Sequence, residues 1–302
     1  MSVLPAHVTV RDVALRDGLQ IETPIPLSAK LALLEAIAAT GVREVEATAF
    51  VSPSKVPALA DAPELAERLA SYPGIEFSAL GARAHGARLA IVGRPRCPAR
   101  AVSAVAGHSR ANVGRSSAEA TEQIADIVAI AHDSGATVEV IIATSWDCPF
   151  DGPTDPARVA GIVDTACLNG VDRIAIADTI GTATPGRVTS LVNVVLPRIG
   201  ARELGAHFHN TRGSGLASAY AAVAAGVTRL DSSVGGLGGC PFAPGASGNI
   251  ATEDLTYLLR DSGVETGIDL AAAIDAARVA RDIVGHDLPS ALLRAGDRMV
   301  KS

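Results

Sequence analysis

Glu203-Leu204-Gly205-Ala206-His207-Phe208-His209-Asn210 is the stretch on which the reading of this chain turns. It approaches as a β-strand and gives way to a helix-like run from about Arg212. Side chains two apart on a strand share a face, so His207 and His209 would present two imidazoles side by side. Such a pair also occurs as plain structure, and two nitrogens alone do not hold an ion. Two questions follow: does the strand-then-helix pattern repeat, and do other strands end in ligands?

The pattern repeats in both directions. Towards the N-terminus, strands read at 8–14, 44–50, 76–80, 101–106 (the weakest), 137–143 and 173–177. Between them lie helices at 29–39, 63–71, 83–92, from Ser116 or Ser117 to Asp133, at 155–168 and at 185–198. Ser28 is the expected N-cap of the first helix and Gly41 its stop. Arg16-Asp17-Gly18-Leu19-Gln20 reads as a polar turn, and 93–100 as a surface connection on its turn residues. Towards the C-terminus come a helix at 215–225, a strand at 229–234, a glycine-rich loop and a helix at 252–262. Strict alternation means a parallel sheet in an α/β fold. Eight such units predict a (β/α)8 TIM barrel over about 8–262, with a C-terminal helical extension over about 263–302. No linker marks a second domain, so residues 1–302 read as one.

Composition narrows the function classes. The chain has 302 residues, 48% hydrophobic but only 3% aromatic, so its core should be mostly Val, Ile, Leu and Ala. The net charge of −6 comes without a basic stripe, which argues against nucleic acid as a partner. Cys97, Cys148, Cys167 and Cys240 show no framework spacing, so the expected setting is reduced and cytoplasmic. Neither a signal peptide nor an apolar run of the roughly 18 residues a membrane span needs is visible.

In such barrels the reactive groups sit in the loops after the strands. Collected there are Arg16 and Asp17 after the first strand, Glu46 and Thr48 on the second, Asp178 and Thr179 after the sixth, and His207 and His209 on the seventh. Cys240 and Asn249 follow in the loop after the eighth. Asp17, His207, His209 and Asn249 make a mixed, fairly hard ligand set. That set favours octahedral Mg²⁺ or Mn²⁺ over a closed zinc site, with zinc left open. Such an ion would chelate a hydroxyl and a carbonyl of one substrate, and Arg16 would stabilise an oxyanion beside it. Plainer readings exist: Arg16 and Asp17 as a surface ion pair, Asp178 as a turn cap, Cys240 as a small inert residue. Glu46 in an apolar strand needs a cation, a proton or a hydrogen-bond network. Residues 235–239 fit neither G-x-G-x-x-G nor a direct entry into a helix, which rejects a dinucleotide site. His7, His85, His108, His132 and His286 lack partners by spacing.

Together, Arg16-Asp17-Gly18-Leu19-Gln20, Phe50-Val51-Ser52-Pro53-Ser54-Lys55-Val56-Pro57, Asp178-Thr179-Ile180-Gly181, His207-Phe208-His209 and the loop Gly236–Asn249 resemble 3-hydroxy-3-methylglutaryl-CoA lyase. The likeness runs from about residue 8 to 285 and is densest at the strand ends. The wider group of Arg-Asp barrel metallolyases includes isopropylmalate synthase-like enzymes and hydroxy-oxo-acid aldolases. The resemblance implies that Asp17, His207, His209 and Asn249 bind the divalent cation, and that Arg16 stabilises the enolate of the departing acetyl thioester. Cys240 would take part in proton transfer from a mobile loop, while Asp178 and Glu46 would support the substrate and the inner shell. It further implies an acyl-CoA substrate, retro-Claisen cleavage to acetyl-CoA and acetoacetate, a place in leucine catabolism, and a homodimer.

The chain departs from the family at Asn210, where an aspartate is usual, at Ser214-Gly215, and across 83–112, whose loop from His108 to Asn112 should border the acyl pocket. These changes bear on the acyl group. Citramalyl-CoA or a longer hydroxyglutaryl-CoA is therefore an alternative substrate. Claisen condensation, or metal or acyl-CoA binding without catalysis, are the other readings.

Overall fold

The computed structural model describes residues 4–81, 97–239 and 248–298. Eight parallel strands close into a barrel: β1 (Thr9–Asp12), β2 (Glu44–Phe50), β3 (Glu76–Gly81), β4 (Cys97–Ser103), β5 (Glu139–Ala143), β6 (Arg173–Asp178), β7 (Glu203–Phe208) and β8 (Arg229–Ser232). Closure is made by β1, which pairs with both β2 and β8. The expected α/β barrel is therefore the observed one.

The helices around it are α1 (Leu27–Ala39), α2 (Ala62–Arg68), α3 (Ala106–Val113), α4 (Ser117–Glu122), α5 (Ile124–Asp133), α6 (Pro156–Leu168), α7 (Pro185–Val195), α8 (Gly215–Ala224), α9 (Thr252–Asp261), α10 (Leu270–Val284) and α11 (Ala291–Ala295). Outward-facing strand residues such as Val102, Val140, Ile142, Ile176, Leu204 and Phe208 are buried beneath these helices. The C-terminal extension is anchored: Ala276 and Ala280 of α10 join Leu33, Leu34 and Ile37 of α1 in one apolar cluster. Asp254 of α9 accepts from the amides of Ala291 and Leu292 at 2.9 and 2.8 Å, holding the start of α11.

Several local expectations need correction. Residues 97–100 are not a surface connection but the first part of β4, paired to β3 and β5; backbone pairing on both sides overrides the turn-forming residues. The long helix breaks at Gln123, and α3 precedes it unforeseen. Ser116 does open α4, in a reciprocal capping box with Glu119. Pro26, not Ser28, is the N-cap of α1, its fixed φ suiting the extended backbone there. The expected helix at 83–92 and Cys240 lie outside the described residues. No described helix is long and apolar enough to cross a membrane.

The barrel interior departs most from an aliphatic core. Arg11 of β1 holds Asp231 of β8 through two hydrogen bonds of 2.8 and 3.0 Å and also pairs with Glu139 of β5. Arg229 bonds Glu139 at 2.9 Å and pairs with Glu44 of β2. Buried charges this numerous persist only when each meets an opposite charge.

Candidate active site

Arg16 and Asp17 do not sit in a solvated turn. Residues Ala14–Gly18 form one π-helical turn, in which the amides of Arg16, Asp17 and Gly18 converge on the carbonyl of Val13 at 3.1, 2.8 and 3.1 Å. Such π-turns recur at functional sites because they re-aim side chains. Here the turn directs two consecutive residues into the barrel mouth, and both are buried. Asp12 pins it from below. One carboxylate oxygen accepts from Ala14 N at 2.9 Å; the other takes Val234 N at 3.0 Å and the Thr252 hydroxyl at 2.7 Å.

Asp17, His207 and His209 bring one ligand atom each within 4.8 Å of one another, all three residues buried. His209 Nε2 lies 3.4 Å and His207 Nε2 3.9 Å from Asp17 Oδ2. The imidazole centroids are 5.0 Å apart, the side-by-side arrangement expected for residues two apart at a strand end. Asn249 joins them through its backbone, bridged to His209, and through its amide, which donates to Asp17 Oδ2 at 3.0 Å and to the Leu237 carbonyl at 3.0 Å. Its Oδ1 and His209 Nδ1 are buried without a hydrogen-bond partner among the described residues. Orphaned buried acceptors are costly. One carboxylate and two imidazoles, from Asp17, His207 and His209, make a donor set that fits a divalent cation.

Burial alone would raise the Asp17 carboxyl. The Arg16 guanidinium, with His209 and His207, outweighs it and holds the group well below the usual carboxylate range. Glu46, fully buried on β2, meets its cation in Arg16, whose Nε lies 2.5 Å from Oε2. Arg16 thus has two fixed anchors, Glu46 and Asp17, and Gln20 Nε2 also donates to Asp17 at 3.0 Å.

Burial pushes the Asp178 carboxyl up, against the backbone amides of Thr182 and Ala183, which favour its ionised form. Its oxygens accept from Thr182 N at 3.0 Å and Ala183 N at 2.8 Å, so it caps the turn after β6. Thr179 Oγ1 accepts from Thr144 N at 2.8 Å, and Thr48 is buried. Asn210 does not enter the ligand set; its Oδ1 accepts from Gly215 N at 3.0 Å, at the start of α8. A Cβ at Gly215 would come 2.6 Å from Ile250, so the close helix approach requires glycine there.

Three histidines set aside for want of partners have them. His108 Nδ1 lies 3.1 Å from Ser103 Oγ, His132 Nε2 3.0 Å from Asp172, and His286 Nε2 3.0 Å from Glu22. Burial pushes the His108 imidazole down to about 4. The groups that sequence reasoning missed are Asp231 and Arg11. Asp231 Oδ2 lies 3.1 Å from His207 Nδ1. The available signal was charge at inward-facing positions of short strands: Arg229 and Asp231 alternate with Leu230, and Arg11 follows Val10.

An α/β barrel with a buried Asp-His-His cluster beside a clamped arginine defines a barrel with a candidate metal site at its mouth. The HMGL-like family model matches residues 7–280, and the chain belongs to that family. Hydroxymethylglutaryl-CoA lyase of Pseudomonas mevalonii is 39% identical over 268 residues, 88% of each chain. The (R)-citramalyl-CoA lyase of Chloroflexus aurantiacus is 38% identical over 300 residues, covering 96% of this chain and 95% of its own. An HMG-CoA lyase of Acinetobacter baumannii, solved with coenzyme A and 3-methylmalate, superposes with a TM-score of 0.93 at 36% identity over the whole of both chains.

Proposed function

We propose that this protein is a divalent-metal-dependent carbon–carbon lyase that cleaves a 3-hydroxyacyl-CoA, with 3-hydroxy-3-methylglutaryl-CoA as substrate and acetyl-CoA and acetoacetate as products. The observation that carries the reading is the buried Asp17-His207-His209 cluster, with Arg16 fixed against it. Asp17, His207, His209 and Asn249 hold the cation, Mg²⁺ or Mn²⁺. When bound, it lowers the pKa of the substrate's tertiary hydroxyl and polarises the neighbouring carbonyl oxygen.

The remaining work falls to the chain. The substrate's C3 hydroxyl gives up its proton to water, the C2–C3 bond breaks, C3 becomes the ketone of acetoacetate, and the bonding pair passes to the acetyl thioester as an enolate. Arg16, immobilised by Glu46 and Asp17, offers preorganised donors to that enolate oxygen and needs no rearrangement as charge develops. Cys240, from the loop after β8, returns a proton to the enolate carbon and so forms acetyl-CoA. Asp178 rigidifies the loop after β6 that borders the substrate. We place the protein in the cytoplasm, in leucine catabolism, as a homodimer.

A second reading keeps the chemistry and exchanges the substrate for citramalyl-CoA, favoured by the 38% identity to a citramalyl-CoA lyase across 96% of this chain. Product analysis separates them. Acetoacetate with acetyl-CoA from the methylglutaryl thioester supports the first reading; pyruvate from citramalyl-CoA alone supports the second. Silence on a full panel of 3-hydroxyacyl thioesters with Mn²⁺ present would overturn both.

A further inference from the structure

His207 and His209 are neighbours in the triad but have unlike surroundings. His209 Nδ1 is buried with no hydrogen-bond partner among the described residues, whereas His207 Nδ1 meets Asp231 Oδ2 at 3.1 Å. Register explains why. Asp231 of β8 pairs with His207 of β7 on one side and with Arg11 of β1 on the other. Three side chains on adjacent strands therefore lie at one level of the barrel's inner face.

We propose that Asp231, clamped by Arg11, is a positioning residue that fixes the His207 ring with Nδ1 protonated and Nε2 turned to Asp17 and the cation. The inference rests on the metal reading above. Asp231 itself has little freedom, since Arg11 Nε and Nη2 hold its two oxygens at 2.8 and 3.0 Å. Arg11 in turn pairs with Glu139, which Arg229 holds at 2.9 Å. All four residues are buried, so solvent offers no substitute partner. A neutral imidazole carries one N–H. Without an acceptor at Nδ1 it can place that N–H on Nε2, which then cannot ligate, and the ring can also turn about its bond to Cβ. A carboxylate at Nδ1 removes both alternatives and makes Nε2 the more basic donor.

The test is the Mn²⁺ affinity of the EDTA-stripped protein by calorimetry, for wild type, D231N, H207A and the double variant. Loss of such an orienting partner typically weakens metal binding about 10–100-fold, and D231N should fall in that range. D231N should add little once His207 is gone, because Asp231 acts through it. A merely structural Asp231 would lower the unfolding temperature but leave the affinity unchanged, and that result would overturn the proposal. Should D231N fail to fold, the wild type decides: ¹⁵N spectra of the Mg²⁺-loaded protein must show His207 protonated at Nδ1, and protonation at Nε2 would overturn it. If the wild type binds no Mn²⁺, the metal reading fails, and the positioning role with it, which is distinguishable from an unchanged D231N.

Discussion

Arg16 is where charge, geometry and chemistry meet. Its guanidinium reaches Glu46 and Asp17 at once, which a single ammonium on a flexible stem does not reproduce. R16K should therefore lower kcat by about 10²–10³, the typical loss for one oxyanion donor, with a smaller change in KM. Steady-state kinetics checks this, and an unchanged kcat would remove Arg16 from the reaction. H209A should weaken Mn²⁺ binding by at least about 10-fold and activity with it; calorimetry reads the first and acetyl-CoA release the second. Retention of both would strike His209 from the ligand set. The residues that sequence reasoning found, Arg16, Asp17, His207 and His209, are those whose chemistry is local: a short motif or a two-residue spacing at a strand end. Asp231 escaped because its role exists only across β1, β8 and β7, through a pairing that neighbouring residues do not announce.

At the scale of elements, the segment after β8 does the most for the site. Gly238 has φ +123, and a Cβ there would come 2.7 Å from the Asn249 amide nitrogen. Gly238 and Gly248 also cross so closely that a Cβ on Gly248 would meet the Gly238 carbonyl oxygen at 2.1 Å. G238A should thus displace the Asn249 amide from Asp17, costing on the order of 1–3 kcal/mol of stability and a larger share of activity. Denaturant titration alongside kinetics tests it, and wild-type values for both would show that the loop accommodates the methyl group. A mostly apolar strand such as Glu44–Phe50 was legible in the sequence to the residue. Two kinds of element were not. The π-turn at Ala14–Gly18 depends on tertiary packing against Leu237 and Ser233, and the start of β4 on partners either side of it.

Across the whole molecule, buried carboxylates of two kinds set the pH response. Burial pushes Glu253 up to about 7 and Asp12 to about 6, despite the amides that each accepts from. A carboxyl whose pKa is raised by folding binds its proton more tightly in the native state. Its contribution to stability therefore declines as pH rises from about 4.5 through about 7 for Glu253. E253Q cannot ionise and escapes this loss. The stability of wild type relative to E253Q should fall between pH 5 and pH 8, by on the order of 3 kcal/mol. A pH-independent difference in chemical denaturation would contradict that assignment. Asp17 and Asp231 act with the opposite sign, since arginine and histidine hold their pKa values down and their contribution is lost in acid. The claim that joins fold, site and family is metal-dependent cleavage. Its most direct test is acetyl-CoA formation from 3-hydroxy-3-methylglutaryl-CoA by EDTA-stripped protein, before and after Mn²⁺ is restored. The account predicts no turnover without the ion and full turnover at one ion per chain; undiminished cleavage by the stripped protein would contradict it.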